Sequence, residues 1–310
     1  MTKMHQGVDN QRGYCLELAN GLGWFITAAE GAESWVEKFV SMFGLTASAP
    51  NGCPRLVFVH RKAEDPEREG PTIILDSDRL KDFPHVGWTM QNVGSLRFWS
   101  HPRVQDMICE IGQVDDNPSE IVSMWGGLYP IYKQLHESGG LPLHAALVGR
   151  DGVGVLLAAP GRTGKSTCCR RLPSPWYALG DDETVIVRDH ENQYLAHPFP
   201  TWSDYFQRRY QLRWNVQQCL PLSAIFFLEQ AETDKAVPIG KGETTTRINK
   251  LAAQVCRIDW RNLPQAERIS IRNKLFDNTC ELARAIPAFE LQVSLKGRFW
   301  EEIERVLRYK

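Results

Sequence analysis

Short apolar runs that alternate with polar turn residues predict a β-rich amino-terminal part of the chain. One segment differs, because Trp35, Phe39, Val40 and Phe43 recur at the spacing of a helical face and predict a helix from Glu33 to Phe43. The predicted strands are Tyr14 to Leu18, Trp24 to Thr27, Leu56 to His60, Thr72 to Leu75, Leu96 to Trp99 and Met107 to Ile111. Residues 1–115 are therefore predicted to form a β-rich α+β domain, with substrate recognition as its candidate role.

A polar segment around Asp115 to Glu120 is predicted to begin a second domain over residues 116–310, because Asn, Pro and acidic residues favour a helix start. This helix should bury Ile121 and Met124 and should bend or end at Pro130. The remaining predicted elements are a hairpin of Leu141 to Val148 and Val153 to Ala158, strands at Trp176 to Leu179, Thr184 to Val187, Ala224 to Leu228 and Phe289 to Leu295, and helices at Glu267 to Ala285 and Phe299 to Leu307. The pattern predicts the α/β fold class.

Composition narrows the class of protein. The 310 residues are 43% hydrophobic and 24% charged, which is typical of a folded globular chain. The 36 basic and 37 acidic residues nearly cancel, so we expect no nucleic-acid partner. No apolar run approaches the roughly 18 residues of a membrane span. The eight cysteines form no C-x-x-C pair, so we expect reduced thiols in a cytoplasmic protein.

The segment A-A-P-G-R-T-G-K-S-T, Ala158 to Thr167, lies between a predicted strand and a short helix, where a phosphate-binding loop occurs. Its glycines allow the backbone amides to point at phosphate oxygens, and the helix N-terminus adds positive potential. Lys165 would contact the β and γ phosphates, and the Ser166 hydroxyl would bind Mg²⁺. The residues predicted to bind nucleotide are Gly161, Arg162, Thr163, Gly164, Lys165, Ser166 and Thr167.

One position departs from the usual G-x-x-x-x-G-K-[ST] pattern, since Ala159 replaces the first glycine. The loop must therefore enter its turn without a positive φ there. The alternative interpretation is a glycine-rich turn with a surface lysine. The order of strand, loop and helix favours nucleotide binding, and the predicted cofactors are ATP and Mg²⁺.

An acidic pair, Asp181 and Asp182, follows the next predicted strand, a short distance after Lys165. Carboxylates beside bound phosphates can hold the metal or accept the proton of an attacking hydroxyl, which are the two tasks of phosphoryl transfer. The alternative interpretation is that the two aspartates form only an exposed acidic turn without a role in catalysis. The short spacing from the loop is unlike that of motor and transport ATPases, so the pair favours a kinase.

From Leu141 to the C-terminus the chain resembles the HPr kinase/phosphorylase-like family of P-loop kinases, through L-H-A-A-L-V, G-R-T-G-K-S-T and A-L-G-D-D-E in the same order. The resemblance implies Asp182 as general base, Asp181 alongside it as a metal ligand, and His144 beside the reacting phosphate. Without this resemblance, a lone histidine in an apolar strand would more often be interpreted as a hydrogen-bonded core residue. The resemblance also implies a homo-oligomer as a candidate assembly of this chain.

Two family features have no clear copy in this chain. The Glu-Ile-Arg-Gly segment, which supplies a second metal carboxylate, is replaced by the stretch Gln211 to Trp214. Asp204 is the candidate replacement ligand, and Arg213 is a candidate phosphate contact. The second feature is a further arginine of the family, for which Arg247 is the candidate. These departures put the phosphorylase activity and the HPr substrate in doubt.

The layout, an unrelated amino-terminal part on a kinase core, also resembles lasso-peptide kinases and the SynChlorMet cassette protein C family, which are associated with modification of small ribosomal peptides. The resemblance implies transfer of phosphate from ATP to a Ser or Thr hydroxyl of a peptide or protein, with a ribosomal precursor peptide as one candidate. The open alternatives are a kinase for a small molecule and a non-catalytic ATP-binding sensor.

Overall fold

A computed structural model describes residues 13–29, 31–61, 71, 82–112, 117–202, 205, 214–256 and 263–307 of the chain. The fold is mixed α/β, with two mixed sheets and helices packed on them. The predicted domain boundary near residue 115 lies in a stretch outside the described residues. No helix within the described ranges combines the length and the apolar character that a membrane span requires.

The first sheet has seven strands in the order β3-β1-β2-β4-β7-β6-β5. Its strands are β1 Gly13–Glu17, β2 Gly23–Ala28, β3 Ala47–Ser48, β4 Arg55–His60, β5 Thr89–Val93, β6 Leu96–His101 and β7 Val104–Ile111. The pairs β2/β4 and β4/β7 are parallel, and the others are antiparallel. Five predicted strands are confirmed, β3 and β5 were not predicted, and the predicted strand Thr72 to Leu75 lies outside the described residues.

The predicted first helix is confirmed as α1, Glu33–Met42. Its apolar face is buried on the first sheet, where Trp35 and Phe39 stack with ring centroids 5.1 Å apart and both contact Phe58 of β4. Such aromatic contacts add to the free energy of area burial. The helix therefore has a fixed place over the sheet.

The second sheet has nine strands, seven of which follow the path β11-β9-β10-β14-β13-β12-β8, while β16 pairs with β14 and β15. Its strands are β8 Leu141–Leu143, β9 Ala145–Arg150, β10 Val153–Ala158, β11 Tyr177–Gly180, β12 Glu183–Arg188, β13 Tyr194–Phe199, β14 Leu220–Gln230, β15 Lys235–Pro238 and β16 Ala288–Val293. The central pairs β10/β14 and β14/β16 are parallel, and β10 and the middle of β14 are buried on both faces.

The single strand predicted from Leu141 to Val148 is wrong, because it is interrupted by a bend at His144. The part before the bend pairs with β12, and the part after it pairs with β10 and β11. The sheet path folds back on itself, so that Thr184 at one end donates a hydrogen bond of 2.9 Å to the Ala145 carbonyl near the other. Apolar patterning is the same on both sides and cannot reveal this change of partner.

The remaining helices are α2 Asn117–Gly126, α3 Tyr129–Glu137, α4 Lys165–Arg171, α5 Lys241–Val255, α6 Gln265–Ala285 and α7 Phe299–Leu307. The predicted bend or end at Pro130 is wrong in detail. Helix α2 already ends at Gly126, and Pro130 lies in the first turn of the next helix, α3. Proline suits that position because its missing N–H has no helical acceptor there. Helix α5 was not predicted.

The two sheets share one continuous apolar core. Phe43, which follows α1, packs edge-on against Phe199 of β13 with ring centroids 5.8 Å apart. His197 of β13 accepts a hydrogen bond from the Ala19 amide (3.1 Å) at Nε2 and donates from Nδ1 to the Val216 carbonyl (2.8 Å). The end of α1 and the loop after β1 therefore pack directly against β13.

Candidate functional site

The phosphate-loop sequence forms the predicted strand, loop and helix, as β10 ends at Ala158 and α4 begins at Lys165. The loop is curled by positive φ angles at Arg162 (66°) and at Gly164 (111°), which caps α4. Ala159 is buried and has no positive φ, so this alanine is compatible with the turn. No atom lies within 4 Å of a Cβ built on Gly161 or Gly164, so space is open in front of both.

Lys165 points into the loop and not into bulk solvent, with only 5% of the residue exposed. Its Nζ donates to the Ala159 carbonyl at 2.9 Å and lies 3.4 Å from the Pro160 carbonyl. Burial lowers the pKa of Lys165 to about 8, and the negative charges of Asp182 and Asp181 oppose this shift. The lysine and the acidic pair are therefore electrostatic neighbours, as phosphate and metal binding would need.

A cavity of about 430 Å³ lies beside the loop. Thr163, Gly164 and Thr167 form one side, and the opposite side includes residues at the ends of β14 and β16. The cavity is in the size range of small-molecule sites. Gln230, at the end of β14, donates a hydrogen bond of 3.3 Å to the Thr163 carbonyl and so connects the cavity wall to the loop.

The acidic pair lies at the junction between β11 and β12. Asp181 Oδ1 accepts a hydrogen bond of 2.7 Å from the Thr201 hydroxyl. That hydroxyl accepts a hydrogen bond of 3.0 Å from Trp214 Nε1. The Asp182 side chain is 24% exposed, and its Oδ1 lies 3.1 Å from His144 Nε2. Asp181 is thus tethered to the segment after β13, while Asp182 faces the histidine.

His144 occupies the bend between β8 and β9, and its side chain is 16% exposed. Its Nε2 atom is buried, and the alignment with Asp182 is not that of a hydrogen bond despite the short distance. The two side chains are therefore close neighbours that share no hydrogen bond. The structure brings His144, Lys165, Asp181 and Asp182 into one neighbourhood around the loop.

Glu183 is a residue whose environment the sequence did not indicate. Only 3% of it is exposed, Tyr132 donates a hydrogen bond to one carboxyl oxygen, and Trp202 Nε1 donates to the other at 3.1 Å. The pKa of Glu183 is raised to about 8, mainly by burial and in part by the Asp182 charge, against the opposing effect of the hydrogen bonds from Tyr132 and Trp202. The third acid of Asp-Asp-Glu is thus a core residue that links α3 to the segment after β13.

The sequence also gave Asp204, Arg213 and Arg247 as candidates, and the structure describes only Arg247 among them. Asp204 and Arg213 lie outside the described residues. Arg247 is described, and its guanidinium is held between Glu243 and Glu290 at 2.5 Å and 2.8 Å. It also lies over the ring of Phe227, with its Cζ 5.4 Å from the centroid. These contacts account for Arg247 as a structural residue of α5.

Residues 107–308 match the family model described as SynChlorMet cassette protein ScmC. No curated protein matches the chain significantly. The matched range contains the phosphate loop, the acidic pair and His144.

Proposed function

The chain belongs to the SynChlorMet cassette protein ScmC family, and on that premise we propose that it is a Mg²⁺-dependent kinase that transfers the γ-phosphoryl group of ATP to a Ser or Thr hydroxyl of a peptide or protein. We also propose that residues 116–310 form a P-loop kinase domain of the HPr-kinase-like type. This proposal is supported by the order of three features along the chain: a strand region that contains a histidine, a phosphate loop, and a strand that ends in Asp-Asp.

The single observation that carries the proposal is the position of Lys165. Its ammonium group is buried at the mouth of a curled phosphate loop, within electrostatic range of Asp181 and Asp182. A buried lysine is costly unless its charge has a partner. Phosphate oxygens would be better partners than the two loop carbonyls that it now contacts, and this favours an anionic ligand.

The residues around the loop fit Mg·ATP. The open space before Gly161 and Gly164 gives the loop amides access to phosphate oxygens, and the cavity beside Thr163 and Thr167 has room for a nucleoside. Ser166 and Asp181 would hold the metal, with Asp204 as a third candidate. No cluster of three or more His, Cys, Asp or Glu side chains suited to a metal occurs within the described ranges. Nucleotide phosphates would complete the coordination, as they do in many Mg²⁺ sites.

Asp182 is proposed as the general base. Its carboxylate is partly exposed, so an acceptor hydroxyl can approach it, and accepting the hydroxyl proton would raise the nucleophilicity of that oxygen. His144 would pack against the carboxylate from the buried side, since its Nε2 lies 3.1 Å from Asp182 Oδ1. Bound Mg²⁺ would neutralise charge on the transferring phosphoryl group. Lys165 would stabilise the same charge, and neither task needs a covalent intermediate.

The experiment is a transfer assay read by intact-mass spectrometry. The purified chain is incubated with ATP, Mg²⁺ and Ser- or Thr-containing peptides, and any precursor peptide encoded beside it is the first substrate. A mass gain of one phosphate on the peptide supports the proposal. ATP binding by calorimetry without phosphorylated peptide or ATP turnover would instead indicate a nucleotide sensor. Turnover that is stimulated only by small hydroxyl compounds would indicate a small-molecule kinase.

A further inference from the structure

The carboxylate of Asp181 is the end of a short chain of hydrogen bonds. Thr201 lies between Asp181 and Trp214, at 2.7 Å from the first and 3.0 Å from the second. An indole N–H can only donate, so the Thr201 oxygen must accept from Trp214. The single hydroxyl hydrogen is then available for Asp181. Trp214 therefore fixes the direction in which Thr201 donates.

The Trp214 end of this chain of hydrogen bonds lies against the end of α1, the helix that packs on the first sheet. The Val216 amide donates a hydrogen bond of 3.2 Å to the Phe43 carbonyl, directly after α1. Gly44 has a φ of +65°, and a Cβ built on it would come within 2.7 Å of the Trp214 carbonyl oxygen. The backbone of Trp214 is thus in close contact with the end of α1, and only glycine allows this approach.

We infer that Thr201 is a positioning residue that fixes the side chain of Asp181, and that Trp214 and the end of α1 keep Thr201 in place. The inference rests on the proposed function, in which Asp181 holds Mg²⁺. With Oδ1 engaged by Thr201, Oδ2 is the oxygen available to a cation. A charge-assisted hydrogen bond of this kind limits the rotation of the carboxylate, so the metal site is formed before ligand binds.

If this inference holds, the amino-terminal part of the chain supports the metal site in addition to any recognition of substrate. It supports the carboxylate through contacts of Phe43 and Gly44 with the segment of Trp214 and Val216. A change at the end of α1 should therefore alter metal dependence without any change in the phosphate loop.

The first test compares Thr201→Val with Thr201→Ser. Valine has nearly the shape of threonine but no hydroxyl, whereas serine keeps the hydroxyl. We expect Thr201→Val to raise the Mg²⁺ concentration for half-maximal ATP turnover by about tenfold, the scale of one hydrogen bond to a charged group. Thr201→Ser should stay within about threefold of wild type, because the bond can still form. A purely structural role would change the melting temperature and leave the Mg²⁺ dependence unaltered.

The second test removes the indole N–H with Trp214→Phe, and Trp176→Phe is its matched control. Trp176 Nε1 donates a hydrogen bond of 2.9 Å to Glu304 of α7, outside the chain of hydrogen bonds that ends at Asp181. Both variants lose one indole hydrogen bond and keep an aromatic ring. Only Trp214→Phe should shift the Mg²⁺ dependence, in the same direction as Thr201→Val.

The third test uses two glycines with positive φ. Gly44→Ala introduces backbone strain and a contact with the Trp214 carbonyl, whereas Gly52→Ala, at a φ of +87° with nothing within 4 Å, introduces the strain alone. Only Gly44→Ala should weaken the response to Mg²⁺. If Gly44→Ala fails to fold, the Thr201 pair still decides the matter.

The outcomes separate the two proposals. A wild-type chain that neither turns over ATP nor binds it in a Mg²⁺-dependent manner overturns the proposed function and this inference with it. A wild type that is active, together with a Thr201→Val variant of wild-type rate and Mg²⁺ dependence, overturns the positioning role of Thr201 alone.

Discussion

His144 Nε2 lies 3.1 Å from Asp182 Oδ1, at the point where the two ends of the second sheet's strand path approach each other. His144 directly follows β8 and precedes β9, and Asp182 directly precedes β12, which pairs with β8. The separation of the two side chains is therefore set by strand pairing and not by a loose loop. Sites on such elements hold their geometry more precisely than sites on loops.

The first prediction concerns the coupling of this pair. If His144 acts by holding Asp182, the effects of their substitutions on turnover should not be additive. We expect His144→Gln to lower turnover in the wild-type background by about tenfold, and to have little further effect in an Asp182→Asn background. Steady-state rates of the four proteins complete the cycle. Independent, additive effects would show that His144 does not act through Asp182.

The second prediction separates chemistry from binding. Asp182→Asn keeps the shape of the side chain but cannot accept a proton, so phosphoryl transfer should fall by about 10²-fold or more, the usual scale of general base catalysis. Calorimetry should show ATP affinity within a few-fold of wild type. Asp151→Asn is the matched control, because Asp151 is 75% exposed and its Asp-Gly turn accepts asparagine. Loss of ATP binding in Asp182→Asn would assign Asp182 to ligand binding instead.

The local elements around the site could be predicted because their signals are local. The run from Val153 to Ala158, the glycines of the loop and the start of α4 at Lys165 act within a few residues of each other. The Asp181-Asp182 junction also follows from a strand end. The structure shows that these parts lie close together, as the short spacing between Lys165 and the acidic pair indicated, whereas the place of His144 beside them was implied only by the resemblance.

The rest depended on contacts distant in sequence. The interruption at His144 reflects two different partner strands, and a run of apolar residues looks the same with one partner or with two. The environments of Glu183 and Thr201 depend on Trp202 and Trp214, which reach the site from the segment after β13. Pairing of this kind has no periodicity along the chain. Asp204 stays a prediction, because it lies outside the described residues.

The third prediction concerns Lys165. Lys165→Met removes the charge and keeps the length of the side chain, so ATP turnover should fall by about 10²-fold or more, the cost of losing one transition-state contact in an enclosed site. The free energy of unfolding should not fall, because a methionine has no charge to bury. Lys250→Met, at an exposed position of α5, is the control and should leave turnover unchanged. Wild-type turnover in Lys165→Met would contradict phosphate binding by this lysine.

The fourth prediction concerns stability in acid and a buried histidine away from the site. His136 of α3 is 5% exposed, its Nε2 lies 3.6 Å from Cys256 Sγ, and burial, with the nearby charge of Lys274, lowers its pKa to about 4. The unfolded chain, in which the histidine pKa is about 6.5, binds the proton first as the pH falls. Stability from the neutral ring is therefore complete above about pH 6.5 and is lost towards pH 4, by about 3 kcal/mol in total.

The measurement is chemical denaturation of wild type and His136→Gln between pH 7.5 and 4. Other groups also titrate in this range, so the informative quantity is the difference in unfolding free energy between the two proteins at each pH. This difference should move in favour of the variant by about 3 kcal/mol as the pH falls, because glutamine takes up no proton. His190→Gln is the control, since the His190 side chain is 88% exposed, and its curve should run parallel to that of wild type. Parallel curves for His136→Gln as well would mean that His136 is protonated as easily in the folded chain as in the unfolded one, and that its burial does not limit stability in acid.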